Sequence, residues 1–375
     1  MAKSASKKYQ EDVGESIPEE FKKQMETPAA TTDVEDEPSL VSTLIKNIKI
    51  GGDMNTMNIS GAHIQAKSSL VFYPEAFLHF DLLTVCNDME SAQDRMLQVF
   101  KFALSTGYLP DDLTKKPLNP VLGETCQYDI KFPEKNYVVE SISEQLSHHP
   151  PICSSTAFDK KAGISATFYA PMRLNFMGTY VKLTIDGNME VRLDKFNEVY
   201  TVTQPILAVR IFRGFCEYIG DSIITCSNSK YRTKCTFHAK PMFYGQYNLI
   251  DATVYNGKEK LQKIKGSWDK ELSITTYKKE DSKPFFNLES LKGAKGVMED
   301  VAPEKLLPTD WTFAWKGLLD AVKTNQPSRV LSREKSKVEE HQRKLAAERK
   351  AKGEIHTPAL FAQDKNGSWV LKETL

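Results

Sequence analysis

Between about residue 124 and residue 275 the chain reads as strand after strand, with no helical segment to separate them. Tyr137-Val138-Val139, Ser165-Ala166-Thr167-Phe168-Tyr169, Val181-Lys182-Leu183-Thr184-Ile185 and Glu190-Val191-Arg192-Leu193 are short runs of period two or of β-branched residues. The same signature returns at 200–202, 208–212, 222–225, 252–255 and 272–275. Turn signals such as Asp186-Gly187-Asn188 and Asn256-Gly257-Lys258 punctuate it. Parallel strands need a long crossover, so strands that follow one another this closely are expected to pair antiparallel, as a meander. An open meander of this length exposes its edges, and closing on itself removes them. The expected fold class is mainly β (α+β), a large antiparallel β-barrel that can keep a ligand cavity.

Helices are expected on both sides of the strands. Residues 1–37 are rich in Lys, Glu, Asp, Ser and Thr and cannot bury enough surface to offset the entropy of ordering, so they read as a disordered polar tail. Pro38-Ser39 then precedes Leu40, Val41, Leu44, Ile45 and Ile48, and Gly51-Gly52 follows. That spacing gathers the apolar side chains on one face, with Pro near the start and Gly past the end: an amphipathic helix of about three turns. Residues 89–105, with Met96, Leu97, Val99, Phe100, Phe102, Ala103 and Leu104, predict a well-buried helix. From about 304 the chain turns helical again, through Trp311 and Trp315 into a charged run from Arg333 to Lys352.

Fifty basic against 49 acidic side chains leave a formal charge of +1, so nothing global points to nucleic acid and any anion recognition must be local. Six cysteines are scattered without a CxxC, as expected of reduced, mostly buried thiols. The first residues lack the apolar core of a secretory signal. The longest stretch free of Asp, Glu, Lys and Arg, Gln145 to Phe158, is too short to cross a bilayer. The chain is expected to be soluble and to touch membranes reversibly.

Chemistry concentrates in Glu144-Gln145-Leu146-Ser147-His148-His149-Pro150-Pro151. Proline fixes its own φ and biases the residue before it to extended backbone, so His149 sits on a stiff segment. Two imidazoles offer donors whose charge can rise when an anion binds. A metal pair, a catalytic base and two merely structural histidines compete with that reading. No third ligand stands at a recognisable spacing, and no nucleophile-elbow motif or triad partner is evident. Lys116-Pro117-Leu118-Asn119-Pro120-Val121-Leu122-Gly123-Glu124 places a cation and an amide on a proline-stiffened entry to the strands. Lys335, Glu339 and Arg343 stand four apart on one face of the late helix, most of whose charges read as a solvated surface.

EQLSHHPP resembles the signature of the oxysterol-binding protein-related family, and KPLNPVLGE its other hallmark. The resemblance runs from about residue 38 to the C-terminus. It implies a near-complete barrel at about 115–280 with a lipid tunnel, a lid at about 38–70, a helical part at about 300–375, and a lipid-transfer function without catalysis, metal or cofactor. By motif it assigns the headgroup of phosphatidylinositol 4-phosphate to Lys116, Asn119, His148, His149, Lys335 and Arg343, with Glu339 orienting the cations or meeting the inositol hydroxyls. Arg and Lys supply charge-assisted donors to such a ligand. The second, exchanged lipid is a sterol or phosphatidylserine, sterol being the commoner assignment in the family, and Tyr108 could offer it a tunnel hydroxyl. A lipid sensor with a regulatory output is the remaining alternative.

Carriage inside a cavity follows from cost: at about 0.8 kcal/mol per methylene, some 30 acyl methylenes in water would cost on the order of 25 kcal/mol. Leu40, Leu44 and Ile48 are expected on the inner face of the lid. A chain beginning at residue 53 should retain lipid less well in a liposome extraction assay, and unchanged extraction would remove the lid from the mechanism. The length leaves no room for a pleckstrin-homology or ankyrin module, so targeting is expected from the lid, the surface or the lipid itself. Pro284-Phe285-Phe286-Asn287-Leu288-Glu289 faintly echoes a two-phenylalanine receptor motif and reads as structural. The expected state is a cytosolic monomer, transiently peripheral on intracellular membranes, with no nucleic-acid partner.

Overall fold

The structure, a computed structural model, describes residues 51–52, 63–107, 109, 115–241, 245–279, 281–293, 295–365 and 367–372. Residues 1–37, Leu40, Leu44, Ile48 and Tyr108 lie outside the described residues.

Two short strands, β1 (Ile64–Ser68) and β2 (Lys116–Leu118), pair in parallel and set Ile64 opposite Lys116. Between them run α1 (Phe72–Ala76), α2 (Asp81–Thr84) and α3 (Ala92–Ser105). Ser69–Asp88 is apolar and long enough by composition to cross a membrane, but it is broken into short turns, and Leu70, Phe77, Phe80 and Leu83 are fully buried in the protein. α3 starts at Ser91, whose hydroxyl caps Asp94 N, and carries Met96, Val99, Phe100, Phe102 and Leu104 into the main core. The expectation of a buried helix at 89–105 therefore holds. Its Arg95 is buried as well: Nε and Nη2 donate to Glu198 at 2.8 and 2.7 Å, and Nη1 donates to Met89 and Glu90 carbonyls.

The barrel sheet holds fifteen of the described strands. β3 (Thr125–Phe132), β4 (Tyr137–Ser147), β5 (Ile152–Asp159) and β6 (Ile164–Phe176) follow as antiparallel hairpins. β7 (Val181–Ile185), β8 (Asn188–Leu193), β9 (Glu198–Thr203), β10 (Ile206–Arg210) and β11 (Phe215–Cys226) come next. β12 (Tyr231–Phe237), β13 (Leu249–Asn256), β14 (Glu259–Ser267), β15 (Glu271–Thr276) and β16 (Ser282–Asn287) complete the wall, and β17 (Val297–Asp300) returns to pair with β3. β16 and β17 end the strand order without pairing to each other, so the barrel is near-complete.

The simple meander needs correction at its middle. Asp186-Gly187-Asn188 is not a hairpin turn, because β7 pairs with β6 and β10 while β8 pairs with β6 and β9. β6 and β11 are long enough to hold two short partners each, and the chain changes level between them. Gly187 marks the change: a Cβ there would lie 1.8 Å from the Tyr169 carbonyl oxygen.

After the barrel come α4 (Trp311–Ala314), α5 (Lys316–Lys323) and α6 (Ser328–Lys352). The helical part is shorter than the expected 300–375, because β18 (Phe361–Gln363) and β19 (Trp369–Leu371) form a terminal hairpin. Pro284–Asn287 is structural, lying in β16, with Phe285 stacked on Phe100 at 6.2 Å between centroids. Five of the six cysteines are buried and all are free thiols.

Candidate functional site

Lys116 is set by β2, and Asn119 follows it in the proline-flanked loop. The loop ends at Gly123, whose φ of +78° suits glycine and whose missing Cβ admits the His356 ring, its Cε1 2.9 Å from where that Cβ would be. His148 follows the end of β4, beyond a register shift between Gln145 and Ser147. An irregularity of this kind re-aims side chains at the end of a strand. Gln145 bridges it, donating to Ser147 O at 2.5 Å and accepting from Cys153 Sγ at 2.7 Å. The His149–Pro150 peptide is cis, and the two imidazoles meet edge to face at 4.6 Å.

The two motifs touch directly. His148 Nδ1 lies 3.0 Å from the Pro120 carbonyl oxygen, which can only accept, so Nδ1 carries the proton and Nε2 the lone pair of the neutral ring. Burial, and then the neighbouring His149, hold the His148 pKa below its ordinary value. α6 completes the site. Lys335, Glu339, Gln342, Arg343, Ala346 and Arg349 stand at helical spacing on one stripe, and Lys335 Nζ pairs with Glu339 at 2.6 Å.

All seven residues singled out for the headgroup line one cavity of about 850 Å³: Lys116, Asn119, His148, His149, Lys335, Glu339 and Arg343. Four cationic side chains line it against one carboxylate, counting Arg349. Such an excess of donors suits an anion with several oxygens.

Gln342, Arg349 and His356 line the cavity too and were missed. The i,i+3 continuation from Arg343 through Ala346 to Arg349 was available as a signal. For His356 there was none: it lies beyond the Gly353 cap of α6, in a segment folded back by a distant residue. Glu144, fully buried, accepts the backbone N–H groups of Ala359 (2.6 Å), Leu360 (2.8 Å) and Phe361 (3.3 Å). Burial, and then Arg349, lower the His356 pKa.

Beneath the cavity lies Glu124, 1% exposed. Its carboxylate accepts from Ser68 Oγ, from Val121 N at 3.0 Å and from Trp315 Nε1 at 2.8 Å. One side chain thus ties the end of β1, the proline loop and the start of α5 together.

The family model for oxysterol-binding protein matches residues 39–317. The chain belongs to the oxysterol-binding protein family. Oxysterol-binding protein 1 of Dictyostelium discoideum is 42% identical over 317 residues, covering 83% of this chain and 80% of its own. Oxysterol-binding protein-related protein 8 of Homo sapiens is 28% identical over 94% of this chain, which spans 40% of that longer relative. Among solved structures, the Osh1 ORD domain in complex with cholesterol aligns with a TM-score of 0.71 at 21% identity, covering 99% of this chain and 94% of that one. The Osh3 ORD of Saccharomyces cerevisiae in complex with PI(4)P aligns with a TM-score of 0.65 at 19% identity, covering 90% of each. The fold is that of these solved domains.

Proposed function

We propose that the protein is a non-enzymatic lipid carrier that exchanges phosphatidylinositol 4-phosphate for a sterol between membranes, with phosphatidylserine as the alternative second lipid. The observation that carries this reading is the convergence of seven residues, from two sequence motifs and one distant helix, on one cavity rich in cationic donors. A relative of the same fold was solved with the same phosphoinositide and another with a sterol, which supports both halves of the exchange. In this reading the protein works as a cytosolic monomer that meets membranes reversibly.

The test is extraction of labelled phosphatidylinositol 4-phosphate, sterol and phosphatidylserine from liposomes, followed by transfer between two liposome populations. The expected result is extraction of the phosphoinositide and of one other lipid, with movement of both down their gradients. Extraction without transfer would make the protein a sensor. Release of free phosphate from the phosphoinositide would make it an enzyme. Failure to extract any of the three would separate the cavity from lipid headgroups altogether.

A further inference from the structure

Gln145 stands three residues before His148, is fully buried, and does not line the headgroup cavity. It is the last residue of β4 before the pairing with β5 slips. Gln145 lies opposite Cys153 and Ser147 opposite Ile152, which leaves Leu146 as an extra residue on β4. Leu146 packs into the apolar cluster of Phe158, Phe361 and Leu371. A slip of this kind bends and twists the strand, and His148 comes just after it. The direction of the imidazole is therefore not set by regular strand pairing alone.

The side chain of Gln145 spans the slip. Nε2 donates to the Ser147 carbonyl at 2.5 Å, and Oε1 accepts from Cys153 Sγ at 2.7 Å. That carbonyl belongs to the peptide joining Ser147 to His148, whose planar group includes the nitrogen and Cα of His148. Holding its oxygen holds the base of the imidazole. The bridge needs a donor at one end, because a carbonyl only accepts, and an acceptor at the other, for the hydrogen of the thiol. A primary amide supplies both, a carboxylate lacks the donor, and Asn is one methylene shorter. The main chain of Gln145 meanwhile grips the other motif: its N donates to Glu124 O and its O accepts from Gly123 N, both at 2.9 Å. His148 Nδ1 meets the same loop three residues earlier, at the Pro120 carbonyl.

We propose that Gln145 is a positioning residue for the phosphoinositide headgroup: by fixing the Ser147–His148 peptide against the Pro120–Glu124 loop, it keeps His148 Nδ1 on the Pro120 carbonyl and leaves Nε2 for the ligand. The inference rests on the reading of the cavity as a headgroup site. Without the amide bridge the peptide is free to rotate, and the ring loses its fixed distance to Pro120. Either ring nitrogen can then carry the proton, so the unbound site holds two tautomers instead of one. Only one of them presents the ligand with the nitrogen that the folded loop selects, and binding must first restore it.

The test reads the ring itself. With His148 neutral and no lipid present, nitrogen-15 spectra of wild type should show one tautomer, protonated at Nδ1. Gln145→Met keeps the length, adds no buried charge and cannot bridge, and it should show a mixture. Cys153→Ser preserves a donor to Oε1 and should match wild type, whereas Cys153→Ala should move part of the way to the mixture. Affinity for a short-chain phosphatidylinositol 4-phosphate should fall about tenfold in Gln145→Met. In a His148→Ala background the same change should cost less than about twofold, since the residue it positions is gone. A wild-type tautomer in Gln145→Met, or an equal loss in both backgrounds, overturns the proposal, because a residue that only stabilises the fold acts regardless of His148. If Gln145→Met does not fold, Cys153→Ala carries both comparisons. If wild type binds no phosphoinositide, the headgroup reading falls, and the tautomer in the lipid-free protein still decides whether Gln145 positions the ring.

Discussion

Replacing His148 and His149 together by alanine is expected to reduce extraction of phosphatidylinositol 4-phosphate by two to four orders of magnitude and to leave the second lipid almost untouched. Each charge-assisted hydrogen bond lost from a partly desolvated site costs about 1.5–3 kcal/mol, and two of them reach that range. Neither ring is needed for the barrel core, since both lie at the cavity wall rather than among the buried hydrophobic side chains. The same geometry sets a pH dependence. His148 gives its Nδ1 proton to Pro120, so the neutral ring turns a lone pair from Nε2 toward any anion and must take up a proton to donate. Burial and His149 keep it neutral before binding, while Glu339 and the Pro120 carbonyl favour the charged form. Lys116, Lys335 and Arg343 share the cavity and oppose protonation until a phosphate arrives to offset them. The bound-state pKa is therefore above the free-state one. The added affinity is fully present below the free-state pKa and is lost as pH rises through the bound-state pKa. Titrating a short-chain phosphoinositide between about pH 5.5 and pH 8 checks this, and affinity that is level across the range would remove His148 as a donor to the phosphate.

Much of this was legible in the sequence, for identifiable reasons. A strand announces itself by local alternation, so the runs at 165–169, 181–185 and 190–193 lie within strands. Partner choice is not local. Nothing between Val181 and Leu193 says that β6 is long enough to carry β7 and β8 end to end, which is why the expected hairpin at Gly187 is absent. β5 and β14 escaped notice for opposite reasons: the first is almost uniformly buried, and the second, Glu259–Ser267, is interrupted by Glu259, Lys260, Lys263 and Lys265. The site shows the same division. Lys335, Glu339 and Arg343 stand four apart and could be grouped by helix geometry alone, whereas His356 reaches the cavity because Glu144, far earlier in the chain, folds the segment after it. Glu124 was visible as a motif residue without a role. Its function is to receive donors from three separate elements, and no spacing encodes that.

Glu124→Ala is accordingly expected to destabilise the fold by about 3–9 kcal/mol, measured by denaturant unfolding, because it leaves the Ser68, Val121 and Trp315 donors without an acceptor at about 1–3 kcal/mol each. Phosphoinositide extraction should fall with it, since the loop carrying Lys116 and Asn119 loses its tie to β1 and α5. A finer test uses the titration of the group. Burial pushes the Glu124 pKa up to about 7 from 4.5, against the pull of its three donors. The fold thus holds this proton more tightly than the unfolded chain does. The stabilisation is fully present below about pH 4.5 and is lost as pH rises through about 7, a change of about 3 kcal/mol. Glutamine keeps the shape of the protonated acid and cannot ionise. The stability gap between wild type and Glu124→Gln should therefore narrow as pH rises from about 5 to about 8, because only wild type loses stability over that interval. A gap that stays level across that interval would mean that the three donors outweigh burial and that the group works as a carboxylate throughout. In that case Glu124 would act as a fixed negative charge beneath the cationic cavity, opposing anion entry rather than only holding the loop, and Glu124→Gln would bind the phosphoinositide more tightly than wild type.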